Sequence, residues 1–276
     1  MTMKTRKAIY NGIIAASLIL ASGAYAQSSS IGGDVRINLS GIADGIKADK
    51  GSQVHLGSAN LEGTTVDGNA TIRTDAHVNG KIDAKKNSVV RIASFKAQDT
   101  DVKGDLVVNL QAHTGKIKAD KNAQVRVGSA EVTNSNFSDD LEITTKANVK
   151  GRITAEKNAK VNIAALQANG VTVTGGDAEF DLRANVDRVK AEKGSSVYIS
   201  AAELDNVTFN DGVRIRTNST LGAVKAEKGA TVMVASALLA NQEFDGDFDL
   251  SLNAEVPGGI RAEKGSTVEI GSFVMR

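Results

Sequence analysis

One short pattern recurs seven times along the chain and limits its fold more than any other feature. An aliphatic anchor is followed by Ala two residues later, Lys four later, Gly or Asn five later, and aliphatic residues eight and ten later. The anchors are Ile46, Ile82, Ile117, Ile153, Val189, Val224 and Ile260, separated by 36, 35, 36, 36, 35 and 36 residues. A fixed period of this length is typical of proteins built from stacked structural repeats.

Each repeat has the pattern of short β-strands joined by corners. Counted from the anchor (offset 0), apolar residues also stand at offsets 2, 8, 10, 13 and 15, and an isolated one follows at offset 20. Alternation by two residues is strand periodicity. Offset 5 is always Gly or Asn, the residue types that most readily adopt a positive φ. We therefore predict a left-handed corner at this position.

These features together predict an all-β fold, a β-solenoid of about seven repeats of 35–36 residues with uncapped ends. Each repeat stacks on the next, and the apolar faces close a continuous core. We expect two rungs of about 18 residues in each repeat, and one wide rung per repeat is the alternative. An antiparallel β-sandwich also has many short strands, but it has no reason to keep one period through seven copies.

The N-terminal residues are typical of a bacterial export signal. Basic residues precede an apolar run at 13–21, and Ala24-Tyr25-Ala26 has the pattern of a cleavage site. The run is too short to span a bilayer, so we expect a protein that is secreted, extracellular or on the cell surface, without membrane insertion. The predicted organisation is a signal peptide at 1–26, a polar leader at 27–30 and a single β-solenoid repeat domain at 31–276.

Charge and cysteine content narrow the possible partners. The chain has 33 basic and 32 acidic residues, and this balance argues against a nucleic-acid partner, which requires a basic surface. The chain has no Cys, so an exported protein of this sequence must be held together by apolar burial and backbone pairing without disulfides.

The most regular polar feature is a column of lysines at offset 4. The residue before the lysine is acidic in six of the seven repeats. The favoured interpretation is a solvated corner, in which the acids neutralise the lysines and charge discourages sideways strand pairing. The alternative is a basic ridge that holds an acidic polysaccharide or a lipid headgroup. This charged corner column comprises Lys50, Lys86, Lys121, Lys157, Lys193, Lys228 and Lys264.

Two of the three histidines, His77 and His113, share offset 31 in adjacent repeats, and His55 does not join them. Two rungs per repeat would place the pair about 9.6 Å apart, too far to share a metal ion. One rung per repeat would place them about 4.8 Å apart and would allow a metal site. The favoured interpretation is two surface histidines without a metal ion, and we predict no metal site and no cofactor.

No catalytic arrangement is evident in the sequence. The acidic residues recur with the repeat, as turn-forming Asp does, and a nucleophile with its base cannot be built without Cys and with so few histidines. We therefore predict no enzymatic activity. A polysaccharide-degrading enzyme is the alternative, since such enzymes also use β-solenoids.

The repeat pattern extends from Ile31 to Met275, and no polar or amphipathic capping segment is evident at either end. Uncapped solenoid ends expose strand edges and apolar core. The last repeat lacks the apolar residue of offset 20, and Ile31 of a second copy could fill that place. Such a contact is heterologous and does not close, so it grows filaments. The predicted assembly interface comprises Ile31, Val35, Ile37, Val268, Ile270, Phe273 and Met275.

The pattern Gly-x-Ile-x-Ala-x-Lys-(Asn/Gly)-x-x-Val-x-Ile, present at residues 80–92, resembles the rungs of bactofilins, which polymerise end to end without nucleotide. The organisation is also similar to exported functional-amyloid subunits of the curli kind, in which a signal peptide precedes stacked repeats. The chain differs from bactofilins in its export signal, and from curli subunits in its longer repeat and its lack of regular Gln/Asn ladders. The resemblance implies a building block and brings no catalytic residue with it.

The leading hypothesis is an exported structural subunit that stacks head to tail, with itself as partner, into an extracellular fibre of a biofilm matrix or cell surface. The alternative is a surface adhesin or matrix protein that binds a matrix polysaccharide as a monomeric rod.

Overall fold

The computed structural model describes residues 29–276, which form a parallel β-solenoid of about seven turns and contain no helix. The predicted fold class is confirmed. The predicted signal peptide, 1–26, lies outside the described residues. The first strand begins at Ser29, inside the predicted polar leader.

The strands succeed one another in the same order in every turn. Turns one and two contain β1 (Ser29–Ile31), β2 (Val35–Ala43), β3 (Ile46–Ala48), β4 (Gln53–Leu56), β5 (Ala59–Glu62), β6 (Thr64–Val66), β7 (Ala70–Val78), β8 (Ile82–Ala84), β9 (Val89–Ile92), β10 (Phe95–Gln98) and β11 (Asp101–Val102). Turns three to five contain β12 (Leu106–Thr114), β13 (Ile117–Ala119), β14 (Gln124–Val127), β15 (Ala130–Phe137), β16 (Leu141–Glu156), β17 (Lys160–Ile163), β18 (Leu166–Val173), β19 (Ala178–Glu192), β20 (Ser196–Ile199) and β21 (Ala202–Phe209). Turns six and seven contain β22 (Val213–Glu227), β23 (Thr231–Val234), β24 (Ala237–Phe244), β25 (Phe248–Glu255), β26 (Ile260–Glu263), β27 (Thr267–Ile270) and β28 (Phe273–Met275).

Each repeat forms one wide rung. Every anchor pairs directly with the anchors of the neighbouring repeats, as Ile82 does with Ile46 and Ile117. The same register continues through Ile153 to Ile260. The prediction of two rungs per repeat is therefore wrong. Its physical reason is that each segment of a repeat pairs with the same segment of the neighbouring repeats, as β7 does with β12 and β8 with β13, so one half of a repeat never stacks on the other half.

Three parallel sheets surround the interior. The first has eleven strands and contains the long strands, such as β7 and β12, together with the anchor strands, such as β8 and β13. The second has seven strands, one per turn, from β4 to β27. The third has ten strands and runs from β1 to β28. All strand pairs in these sheets are parallel, and apart from a bulge between Val149 and Arg152 in the pairing of β16 with β19 they keep one register, so equivalent side chains stack in columns along the rod.

Two apolar cores run side by side through the rod. Core 1 lies between the second sheet and the anchor half of the first sheet, and in turn two it includes Ile82 and Val90. Core 2 lies between the third sheet and the other half of the first sheet, and in turn two it includes Ile72 and Phe95. Each long strand contributes to both cores. In β7, Ile72 belongs to core 2 and Val78 to core 1, and the alternation of buried and outward residues places both on the inner face.

The two cores are separated by a waist of small residues. A Cβ placed on Gly128 would lie 3.5 Å from the Cβ atoms of Ala112 and Ala147 on the opposite sheet, which leaves no room for a larger side chain. One turn further, the buried Thr145 hydroxyl donates a hydrogen bond of 3.0 Å to the carbonyl oxygen of Ala164. Close approach of the two sheets at the waist divides the interior of each turn into the two cores.

The predicted left-handed corner at offset 5 is confirmed in all seven repeats. The φ values are 70° at Gly51, 54° at Asn87, 61° at Asn122, 62° at Asn158, and 71° at Gly194, Gly229 and Gly265. A second left-handed corner, at offset 11, forms the waist and was not predicted. It comprises Gly57, Ala93, Gly128, Ala164, Ser200, Ala235 and Gly271, with φ between 44° and 57°.

Candidate functional site

The two end surfaces of the rod are the candidate site. The surface of the first turn is formed by β1 to β5, and that of the last turn by β25 to β28 together with the end of β24. Within residues 29–276, each of these strands has a hydrogen-bonded neighbour on one side only. Unpaired parallel edges of this kind are templates for pairing with another chain.

The last-turn surface exposes apolar side chains. Ile260 is 53% exposed, Phe273 43% and Met275 51%, whereas the equivalent anchors inside the rod, such as Ile153, are fully buried. Several inward-pointing residues of this turn are only partly buried and pack against the two cores from the open side. They are Phe244, Phe248, Leu250, Leu252, Ala254, Val256, Val268 and Ile270.

An aromatic cluster reinforces this end of core 2. The rings of Phe209 and Phe244 stack with centroids 5.7 Å apart, Phe244 and Phe248 are 4.9 Å apart, and Phe248 and Phe273 are 6.1 Å apart. Sequence reasoning found Phe273 but missed Phe248 in this role. The signal was available, since Phe248 stands in the column of the buried residue Val213.

The first-turn surface presents the same columns from the other side. Ile31, Ile37 and Leu39 pack partly buried against core 2, and Ala43, Val54 and Leu56 pack against core 1. Val35 is 9% exposed. Ile42 is 75% exposed but faces outward, in the column of His77, and is not part of the apolar end.

The two end surfaces match in register. Val35 and Phe248 stand in one column, Ile37 and Leu250 in the next inward column, and Ile46 and Ile260 in the anchor column. The ends also match in the third sheet. At the first turn β1 pairs with β6, and Gln242–Phe244 is the segment in the same columns at the other end. Within residues 29–276 that segment pairs with β21 alone, so a strand equivalent to β1 would fit beside it.

The structure thus places the seven predicted interface residues on two opposite ends of one molecule. Ile31, Val35 and Ile37 lie at the first turn, roughly 30 Å from the last, since about seven stacked turns rise by roughly 4.8 Å each. Val268 and Ile270 lie in β27, and Phe273 and Met275 in β28. The two sets come together only if two molecules stack.

The charged corner column lies where the sequence places it. The seven lysines are exposed, except that Lys157 is half-buried and pairs with Asp120 at 3.1 Å. The lysine itself also has positive φ, between 47° and 58°, at Lys121, Lys157, Lys193, Lys228 and Lys264. This second left-handed residue at the corner was not predicted.

The acidic residues beside these lysines are engaged with other cations. Lys190 hydrogen-bonds Glu192 and Lys225 hydrogen-bonds Glu227, and these bonds lower the pKa of each carboxyl group. Lys85 pairs with Asp49 of the preceding turn at 3.4 Å. The corner therefore carries charges of both signs close together, as expected for a solvated corner.

A separate basic row crosses the first sheet one residue before the anchors. Arg152 and Arg188 are exposed, stacked in adjacent turns, and are in no ion pair among residues 29–276. With Lys190, Lys225 and Arg261 they line a shallow depression on this face. Sequence reasoning placed the candidate polyanion ridge at the corner and missed this row.

No helix in the described part of the chain is long and apolar enough to cross a membrane. Comparison of the chain with known protein families, with characterised proteins and with solved structures finds no match.

Proposed function

We propose that the protein is an exported structural subunit that stacks head to tail into an extracellular fibre of a biofilm matrix or cell surface. One observation carries the proposal: among residues 29–276 the two end surfaces carry apolar side chains, have parallel strand edges without a partner and match in register. A contact between unlike ends does not close, so each added copy leaves a new end for the next.

In this arrangement β1 of one copy lies beside Gln242–Phe244 of the other, and β2 lies on β25. Ile37 then covers Leu250 and Ile46 covers Ile260. The backbone edges pair as they do between turns, and the exposed apolar side chains leave water. Burial of a large apolar side chain contributes about 1.5–3 kcal/mol when it is complete, so several such columns favour association.

Export is supported by the signal-peptide pattern at 1–26. The resemblance of the rungs to bactofilins, and of the organisation to curli subunits, supports a building block. No catalytic role is proposed for any residue.

The test is negative-stain electron microscopy of the purified mature protein. Leu250→Lys places a charge on the apolar end of core 2, whereas Ser251→Lys places the same charge on the same strand facing outward. We expect filaments from the wild type and from Ser251→Lys, and discrete short rods from Leu250→Lys. Short rods from the wild type, or filaments of equal length from Leu250→Lys, would overturn the proposal.

A second function, a polysaccharide-binding rod, is favoured by the basic row at Arg152 and Arg188. Retention on an acidic polysaccharide column that falls with salt would support it. The double substitution Arg152→Gln with Arg188→Gln should abolish that retention, whereas Lys86→Gln at the corner should leave it unchanged. Equal retention of all three proteins would argue against a site on this row.

A further inference from the structure

We propose that Asp75, His77 and His113 form a binding site for one divalent transition-metal ion of the Zn²⁺ class. The site lies on the outer face of the first sheet, in turns two and three. It uses no residue of either end surface, and it does not depend on stacking of the protein.

The single rung per repeat creates this site. His77 in β7 pairs directly with His113 in β12. Their imidazole rings stack with centroids 4.5 Å apart and an angle of 13° between the ring planes. With one rung per repeat the two imidazoles are close enough to share one ion, whereas two rungs per repeat would keep them too far apart.

The third ligand comes from the strand of the first histidine. Asp75 stands two residues before His77, so both side chains lie on the same outer face. The Asp75 Oδ1 and His77 Nδ1 atoms are 3.7 Å apart. One ligand atom from each of the three residues lies within 4.8 Å of the others.

These distances are close to those of a bound ion. Metal–nitrogen bonds of about 2.0–2.1 Å in a tetrahedron place ligand atoms roughly 3.3 Å apart, so each pair must approach by at most about 1.5 Å. The Asp75 and His77 side chains are 52% and 42% exposed. Water would complete the fourth position, because the site faces solvent.

A second observation points to a ligand. His113 is half-buried, and its Nδ1 atom is shielded from solvent without a hydrogen-bond partner among the described residues. A buried polar atom without a partner is unfavourable, and coordination would supply the missing interaction.

The donor set selects the kind of ion. Two imidazoles and one carboxylate suit Zn²⁺, Cu²⁺ or Ni²⁺, whereas Ca²⁺ and Mg²⁺ prefer all-oxygen sites. The Lys150 ammonium is near His113 and opposes a cation, so it lowers the affinity of the site without removing its ligands.

The test is isothermal titration of the purified, tag-free protein with Zn²⁺, with Ca²⁺ as the comparison ion. His77→Asn and His113→Asn are suitable variants because Asn148 and Asn185 occupy the same column in the next turns. His55→Asn is the matched control, since His55 lies on the second sheet. Far-UV circular dichroism checks that each variant is folded.

We expect the wild type and His55→Asn to bind one Zn²⁺ per chain, with no comparable uptake of Ca²⁺. His77→Asn and His113→Asn should each weaken Zn²⁺ binding at least about tenfold, since losing even a group that only supports a metal ligand has an effect of this size. Absence of Zn²⁺ binding by the wild type, or binding that survives either of the two substitutions at wild-type affinity, would overturn the proposal.

Discussion

Truncation of the anchor at the last turn, Ile260→Ala, separates the stability of one molecule from the strength of stacking. Ile260 is 53% exposed in the single molecule, whereas Ile153 in the same column is fully buried. Removing a fully buried Ile to Ala typically destabilises a protein by about 2–5 kcal/mol, so Ile153→Ala should fall in this range. Ile260→Ala should lower the free energy of unfolding by only about 1–2 kcal/mol, because half of its side chain already contacts water.

Ile260→Ala should also weaken stacking, because Ile46 of a second copy would cover the exposed half of Ile260. Full burial of an Ile contributes about 1.5–3 kcal/mol, so covering the exposed half contributes about 1 kcal/mol that Ala mostly loses. A loss of about 1 kcal/mol raises the dissociation constant of each contact roughly fivefold. Sedimentation of filaments measures the critical concentration of each protein. The experiment is done in a urea concentration that brings the wild-type critical concentration into the micromolar range.

The control is Ile42→Ala, which removes an even more exposed Ile that faces outward from the first turn. Its critical concentration should stay within about twofold of the wild type, since the side chain is not buried by stacking. A critical concentration for Ile260→Ala equal to that of Ile42→Ala, with both proteins folded, would refute burial of the anchor column between molecules.

Three further predictions concern the rod itself. Gly229→Ala should destabilise the protein by about 1–2 kcal/mol in urea denaturation, because the residue has a φ of 71°, which Ala adopts at a cost. No atom lies within 4 Å of the added Cβ, so this cost is conformational and not steric. Gly229→Asn should destabilise clearly less, because Asn occupies the same corner in other turns. Ala112→Leu should destabilise by about 1–3 kcal/mol, because it overfills the waist opposite Gly128, and an unchanged denaturation midpoint would contradict this packing. Burial and the nearby Arg91 lower the pKa of His55 from its usual 6.5. The unfolded chain therefore binds the proton more readily than the folded one, and the stability of the protein falls as pH drops below about 6.5. His55→Gln should reduce the loss of stability measured between pH 7.5 and 5.5.

The period and the offset-5 corner were predictable because both are visible in residue identity. Seven evenly spaced anchors require stacking, and Gly or Asn at every offset-5 position reports the positive φ directly. The number of rungs per repeat was not predictable in the same way. Strand lengths allow one wide rung or two narrow ones, and only the pairing of Ile46 with Ile82 decides between them.

The waist was also not predictable from the sequence. Ala93, Ala164 and Ala235 have positive φ, a conformation that Ala rarely adopts, because the stacked turns on both sides hold the backbone there. The wrong number of rungs per repeat also led to a wrong distance between two histidines. His77 and His113 are equivalent by sequence, but the wrong rung count placed them too far apart for a shared ion. The apolar end residues could be identified because each stands in a core column.

Register-specific cross-linking between molecules tests head-to-tail stacking most directly, because the chain has no Cys of its own. Asn38 and Ser251 are exposed, outward-facing residues of one column at opposite ends of the rod. In a stacked pair their Cα atoms would lie about 4.8 Å apart, within the range for a disulfide, whereas in one molecule they are on the order of 30 Å apart.

We predict that the oxidised double variant, Asn38→Cys with Ser251→Cys, gives a ladder of covalent multimers on a non-reducing gel. Asn38→Cys with Asn253→Cys, which is displaced by two residues along the strand, should give little or none. A ladder of equal strength from both double variants, or none from the first, would contradict in-register stacking of the two ends.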